Sequence, residues 1–169
     1  MKVLNDKVLT GPETQSLINL FKKIQPGYLP FEIFAQLARV VATPIIEIMP
    51  FRQNHKTEIL LTRRASDDNF WPGLWHVPGT IVRGSDVDLN EAFDRVLIKE
   101  LRGVKTTKPV LVQSALRKSE RGRESAQIFW VEVEDEPDVG QFFDVEALPD
   151  DIIQIQLEFI KTAAEAYKS

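Results

Sequence analysis

Apolar residues recur at helical spacing in the first 40 positions of the chain. The run 17–24 predicts one amphipathic helix, with Thr10 as its N-cap and Pro12 in its first turn. A second helix is predicted after Pro30, because its apolar residues also share one face: Phe31, Phe34, Leu37 and Ala38. Two helices cannot bury two such stripes alone. We therefore expect residues 1–39 to form a helical extension that packs on the main body or on a second subunit.

From residue 40 onward the pattern becomes that of short strands enriched in β-branched and aromatic residues. Strands are predicted at 40–51, 58–63, 108–116, 126–134 and 141–144. Helices are predicted at Leu89–Leu101 and Ile152–Tyr167, and the charged segment 117–124 is predicted to be a loop. Strands that enclose one helix and precede another indicate a single mixed α/β domain over residues 40–169.

The Leu89–Leu101 helix carries one charge on its apolar side. At about 100° per residue, Glu100 falls between Leu89 and Phe93, in the middle of a broad apolar arc, and the other charged residues lie outside it. An unpaired carboxylate is costly to bury. Glu100 is therefore a metal ligand or an acid–base group, or it leans into water or pairs with an arginine at the helix end.

The composition excludes several kinds of site. The 169 residues include no cysteine and two histidines, which excludes disulfides, thiolate catalysis, cysteine-ligated metals and three-histidine metal sites. The formal net charge is −4, and no apolar run approaches the roughly 20 residues of a membrane span. We therefore expect neither nucleic acid nor membrane as a partner. No apolar signal segment follows Met1, so we expect a cytoplasmic protein.

The segment from Trp75 to Val104 resembles the signature of the Nudix hydrolase superfamily, in which a glycine turn precedes a helix rich in glutamate. The stretches Leu60–Arg64 and Phe143–Pro149 also resemble their counterparts in that family. This resemblance implies an α/β/α sandwich with a mixed sheet, to which the helical extension is added. It also implies hydrolysis of a nucleoside diphosphate linked to another moiety, with Mg2+ or Mn2+ as cofactor.

The carboxylates of this signature depart from the family pattern. Members carry three helix glutamates that bind metal, and a Gly-Gly pair where this chain has Gly79-Thr80. Whether the helix is aligned on Arg95 or on Gly103, Glu100 is the one glutamate kept, and apolar residues or lysine take the other positions. The resemblance therefore implies that Glu100 is a metal ligand and a catalytic residue. Arg95, on the polar side of the helix, is interpreted as a second catalytic residue that orients the surroundings of Glu100.

A signature reduced in this way is similar to that of GDP-mannose mannosyl hydrolase, a branch of the superfamily. By position, the similarity implies that the carbonyl of Gly79 and the side chain of Gln127 complete the metal shell. Glu124 is a further candidate, because hard divalent cations prefer oxygen ligands. The histidine base of that branch has no counterpart near Gln127.

Substrate contacts are predicted for Arg64, Trp71, Arg83 and Arg117. A guanidinium can hold a diphosphate through two hydrogen bonds, and a base or sugar can stack on an indole ring. The sequence leaves plain alternatives open. Trp71 also suits core packing, the charged run around Arg117 also suits a solvated hairpin tip, and His76 suits either acid–base chemistry or a structural hydrogen bond.

The residues of the signature support two functional hypotheses. The first is a divergent, metal-dependent Nudix hydrolase whose metal polarises the phosphate and activates water. The second is a catalytically weak or inactive Nudix-like module that binds a nucleotide or metabolite, which the loss of two helix carboxylates favours. Both hypotheses expect a small nucleotide or nucleotide sugar as partner, and the apolar stripes of the extension also suit a homodimer.

Overall fold

The computed structural model describes residues 9–169. Its four helices are α1 (Gly11–Phe21), α2 (Phe31–Val40), α3 (Leu89–Lys99) and α4 (Leu157–Lys168). Its strands are β1 (Thr43–Asn54), β2 (Lys56–Arg63), β3 (Trp75–His76), β4 (Gly79–Ile81), β5 (Val110–Ser119), β6 (Gly122–Glu132) and β7 (Gln141–Asp144). A short 3-10 turn, Gln154–Gln156, leads into α4. No helix within residues 9–169 is long and apolar enough to cross a membrane.

Both predicted N-terminal helices are present, and the first has the predicted cap. The Thr10 hydroxyl accepts a hydrogen bond from the N–H of Glu13, and the Glu13 carboxylate accepts one from the N–H of Thr10 at 2.8 Å. This reciprocal pair satisfies two backbone donors that the first turn leaves free. Helix α2 buries Ala38 against the β5–β6 turn, whereas α1 buries no residue and leaves its apolar stripe exposed.

One mixed sheet forms the centre, with strand order β3-β2-β1-β6-β5. Strands β1 and β6 run parallel, and the other pairs are antiparallel. The edge of β1 away from β6 changes partner along its length, from β4 at Ile45–Glu47 to β2 at Phe51–Asn54. Strand β7 pairs with β2. Because β2 and β4 diverge, the edge of the sheet opens beside Trp75–Gly79.

Helices cover both faces of this sheet. Alternate residues of β1 and β6 point to opposite faces, so Ile46, Ile48 and Phe129 pack under α3, while Met49 and Ile128 pack under α4. The α/β fold with a mixed sheet is therefore confirmed.

Two predicted boundaries are wrong, and both errors fall near the candidate site. Residues 117–124 do not form a loop, because β5 continues to Ser119 and β6 begins at Gly122. A solvated hairpin tip is the alternative that the sequence leaves open for this segment, but several of its charges pair inside the fold. Helix α3 ends at Lys99, so Glu100 is its C-cap and not a residue of the helical body.

The β5–β6 turn offers a test of how firmly α2 is held. Gly122 has φ 127°, and a Cβ there would overlap the carbonyl oxygen of Ala38 in α2. We expect Gly122→Ala to lower the free energy of unfolding by about 2 kcal/mol more than Gly103→Ala, measured by urea denaturation. Gly103 is the matched control, because its φ is 80° and a Cβ there meets nothing within 4 Å. Equal losses would mean that the α2 contact contributes nothing.

Candidate functional site

Glu100 stands at the opening of the sheet, where the end of α3 meets β3. Its backbone N–H closes the last turn by donating to the carbonyl of Val96 at 2.9 Å. Its side chain is 26% exposed, and its carboxylate lies 3.7 Å from Nε2 of His76. The sequence pattern therefore identified a carboxylate that is largely withdrawn from water.

His76 is a buried, neutral histidine with both ring nitrogens in use. Nδ1 donates to the carbonyl of Val77 at 2.8 Å, so Nε2 is the acceptor and lies 3.1 Å from the hydroxyl of Thr62. Burial, together with the nearby Arg64 guanidinium, lowers the pKa of His76 to about 4. At neutral pH its Nε2 has no proton to donate to Glu100, and the structure favours the hydrogen-bonded role of this histidine.

Burial raises the pKa of Glu100 to about 7, although three groups oppose this shift. The guanidiniums of Arg64 and Arg121 and the backbone N–H of Gly79 all favour the charged carboxylate. Glu100 is therefore about half ionised at neutral pH. The neighbours that stabilise its charge are cations and a backbone donor.

A depression of about 580 Å3, which we call the Glu100 pocket, opens beside this carboxylate. Its charged lining residues are Arg63, Arg64, Asp68, Lys99, Glu100 and Arg102. Four cations thus face two carboxylates in a chain whose formal net charge is negative. Arg63 pairs with Asp151 and Arg64 with Asp68, while Lys99 and Arg102 make no ion pair with any residue of 9–169. The pocket presents positive charge to a ligand.

A second group of charges is buried behind the pocket, under α4. Arg117 holds both carboxylate oxygens of Glu47 at 2.8 Å, and its Nε donates to Glu124 at 2.8 Å. Arg121 binds the other oxygen of Glu124 at 2.6 Å, and the amide of Gln156 donates to Glu47 at 2.7 Å. We call these five residues the buried ion network. The arginines hold the pKa of Glu124 below its usual range despite burial, and a space of about 40 Å3 adjoins the network.

This network changes the interpretation of two predicted site residues. Arg117 is predicted to bind substrate. Its guanidinium is instead paired with the carboxylates of Glu47 and Glu124, and its side chain is 9% exposed. Glu124, predicted as a metal ligand, is fully buried with both oxygens bound by arginines. The sequence analysis missed Glu47, although a glutamate between Ile46 and Ile48 in an apolar strand was a visible signal.

Gln127 does not join Glu124 on one side of the sheet. They lie three positions apart along β6, an odd number, so their side chains project to opposite faces. Gln127 pairs in register with Ile46 of β1, on the face that α3 covers. Of the predicted metal ligands, Gly79 is the residue whose backbone lies close enough to Glu100 to act on its carboxylate.

Two predicted residues lie around the pocket and the network. Arg64 lines the Glu100 pocket, and its Nε–H has no hydrogen-bond partner among the described residues. Trp71 stands on the loop that Asp68 organises by accepting from the N–H groups of Phe70 and Trp71. Its indole faces the guanidinium of Arg121 at 4.9 Å.

The other two predicted residues lie on the far side of β4. Arg95 binds Asp86 through its two terminal guanidinium nitrogens, Nη1 and Nη2, at 2.7 and 2.8 Å. Nη2 also donates to the carbonyl of Ile81 at 3.0 Å. It therefore fixes the turn after β4 and makes no contact with Glu100. Arg83 belongs to that same turn and lines a different cavity, formed with α2.

The donor set around Glu100 does not fit a divalent metal ion. Among residues 9–169, no group of three or more histidines, aspartates and glutamates is placed to hold one. Mg2+ keeps several waters but relies on carboxylates for its protein ligands. Here the neighbouring side chains are arginines, a lysine, a neutral histidine and Asp68, whose carboxylate is bound by Arg64, and the buried carboxylates of Glu47 and Glu124 are already paired.

Known proteins resemble this chain in fold. No protein-family model matches it, and no curated protein matches it. A mutT/nudix family protein from Listeria innocua superposes with a TM-score of 0.57 at 17% identity, covering 75% of this chain and 94% of that one. The NUDIX domain of Shewanella oneidensis NrtR, crystallised with ADP ribose, gives a TM-score of 0.62 at 16% identity, covering 92% of this chain and 98% of that one. A MutT/nudix family protein from Enterococcus faecalis gives 0.60 at 14% identity, covering 92% and 69%. The chain has the Nudix fold.

Proposed function

We propose that this Nudix-fold chain binds the phosphate groups of a nucleotide derivative in the Glu100 pocket, without a divalent metal. The observation that carries the proposal is the charge around Glu100. Four cationic side chains line the pocket, and two of them, Lys99 and Arg102, lack an ion-pair partner within the described residues. A phosphate oxygen accepts charge-assisted hydrogen bonds from such groups.

ADP ribose is the first ligand to test, because the similar NrtR domain was crystallised with it. We expect isothermal titration calorimetry to give the same dissociation constant, within about twofold, in magnesium and in EDTA. We also expect no release of AMP from the bound ligand in either buffer. Binding that disappears in EDTA would overturn the proposal.

Variants of the two unpaired cations locate the binding to this pocket. Lys99→Met and Arg102→Met should each raise the dissociation constant of ADP ribose by roughly tenfold, because each removes a charge-assisted contact. Lys161→Met is the matched control, since Lys161 is an exposed lysine of α4 outside the pocket. If the control weakens binding as much as the pocket variants, the attraction comes from the overall charge of the chain.

A metal-dependent hydrolase of a nucleoside diphosphate sugar, as the resemblance to GDP-mannose mannosyl hydrolase implied, is the second candidate. The observation that favours it is the closeness of Glu100 to Gly79, two residues that the resemblance assigns to the metal. This candidate expects magnesium-dependent release of sugar or phosphate from GDP-mannose, which the first excludes. One assay with and without magnesium therefore separates the two.

A further inference from the structure

The N-terminal extension and β4 enclose a cavity of about 430 Å3, which we call the α2 cavity. Its walls come from residues 27–44, from β4 with the turn that follows it, and from Asn69 and Arg121. None of its lining residues lines the Glu100 pocket. Cavities of roughly 300–1,000 Å3 hold small organic molecules. Because α2 forms one wall, the extension builds a site that β4 alone would leave open.

The walls of this cavity suit a flat apolar group. Tyr28, Phe31 and Phe34 contribute aromatic rings, and Leu37 and Val41 contribute aliphatic surface. Tyr28 is 81% exposed, so its ring stands at the mouth, where the Arg83 guanidinium lies 6.0 Å from its centre. Aromatic side chains pack against other rings through stacked or edge-to-face contacts, and such contacts favour a planar ligand over an acyl chain.

The charges of the cavity are all positive. Among residues 9–169, Arg83 and Arg121 are its ionisable lining groups apart from Tyr28, and no carboxylate of these residues lines it. Arg121 is bound to Glu124 in the buried ion network, but Arg83 makes no ion pair with any described residue. The nearby Asp86 carboxylate is occupied by Arg95 and by the backbone N–H of Arg83, at 2.7 Å. The turn is therefore fixed, and it holds at the rim the guanidinium of Arg83, which has no ion-pair partner among residues 9–169.

We propose that the α2 cavity binds a small aromatic anion, with its ring against Tyr28, Phe31 and Phe34 and its acidic group at Arg83. The ring would bury apolar surface, and the acid would supply the missing partner of the guanidinium. This site is additional to the phosphate site proposed above, and neither depends on the other.

The fluorescent anion 8-anilinonaphthalene-1-sulfonate is a direct probe, because it joins aromatic rings to one sulfonate. Val41→Trp should weaken its binding by roughly tenfold or more, since the larger side chain fills the cavity. Val40→Trp is the matched control, because Val40 is the adjacent exposed valine and does not line the cavity. Equal binding by the two variants would overturn the proposal.

The charge requirement is tested with N-phenyl-1-naphthylamine, a neutral probe with similar rings. Arg83→Gln should weaken binding of the sulfonate probe by about tenfold and leave the affinity for the neutral probe unchanged. Arg123→Gln, at an exposed arginine outside the cavity, should change neither. If Arg83→Gln weakens the binding of both probes equally, the result would contradict a role for the charge of Arg83.

Tyr28→Ala keeps the proposal testable if Val41→Trp fails to fold, because Tyr28 is exposed and its removal leaves the core intact. We expect several-fold weaker binding of both probes with an unchanged melting temperature. If a second copy of the chain fills the cavity instead, probe affinity will fall as protein concentration rises, and that result would overturn the proposal.

Discussion

Arg117→Met will lower the free energy of unfolding by about 3–5 kcal/mol at neutral pH, the largest loss we expect from a single substitution in this chain. The side chains of Glu47 and Glu124 are 5% and 1% exposed, and Arg117 binds both. Methionine keeps much of the volume but leaves two buried carboxylates with one guanidinium and one amide between them. Breaking a buried pair costs more than the pair contributes, because the remaining charge stays out of water.

Urea denaturation at several pH values measures this loss. In the native chain the arginines hold the pKa of Glu124 low, so their stabilisation is present above the unfolded value near 4.5 and is lost as pH falls. The difference between Arg117→Met and the native chain should therefore be largest at pH 7–8 and shrink toward pH 4. Lys56→Met, which breaks an ion pair at the surface, should change stability little.

The double variant Arg117→Met/Glu47→Gln serves as a rescue. It removes the charge of Glu47, which Arg117→Met leaves without a cation while Glu124 keeps Arg121, so it should recover part of the lost stability. A loss below about 1 kcal/mol in the single variant would show that water reaches the buried ion network.

Glu100→Gln will raise the free energy of unfolding at pH 8, by an amount on the order of 1–3 kcal/mol. Burial raises the pKa of Glu100 to about 7, so the native fold prefers the neutral acid. Its favourable contribution is complete below the unfolded pKa near 4.5 and is lost as pH rises through 7. Glutamine has no charge to bury, so the advantage of the variant should appear between pH 5 and pH 8 and vanish at pH 4.

The control is Glu165→Gln, which changes an exposed glutamate of α4 and should alter stability equally little at each pH. The same Glu100→Gln variant also separates the two candidate functions. A phosphate site gains affinity for ADP ribose at pH 8 when a nearby negative charge is removed, whereas a metal site loses affinity for magnesium. Unchanged stability across the whole pH range would contradict the buried position of Glu100.

The elements and the position of Glu100 could be predicted from local patterns. Helical spacing placed α1, α2 and α3 to within a few residues, and the apolar arc of α3 identified Glu100 before any partner was known. These features depend on residues close together in the sequence. There, apolar residues that repeat about every 3.6 positions in a helix or every 2 positions in a strand are directly visible. The N-cap at Thr10 is equally local, and it is present as predicted, within a reciprocal capping box with Glu13 that only the structure shows.

The partners of the charged residues could not be predicted in the same way. Glu47 and Arg117 are 70 positions apart, and they meet because β6 lies between their strands, parallel to β1 and antiparallel to β5. A strand pattern does not say which strands become neighbours, so the sequence predicts a loop at 117–124, with Arg117 and Glu124 as site candidates, and does not reveal their pairing. Once β6 is known to begin at Gly122, alternation alone separates Glu124 from Gln127.

The parallel pairing of β1 with β6 also sets the order in which the chain can assemble. Residues 43–51 pair with residues 124–132, and more than 70 positions lie between the two segments. Closing so long a loop costs conformational entropy, which only the contacts made after closure offset. The β5–β6 and β1–β2 hairpins can form early, because each connects adjacent segments. Within the β5–β6 hairpin, Arg117 and Arg121 share the carboxylate of Glu124, and β1 brings the second carboxylate, that of Glu47. We therefore expect the buried ion network to close only once β1 has paired with β6.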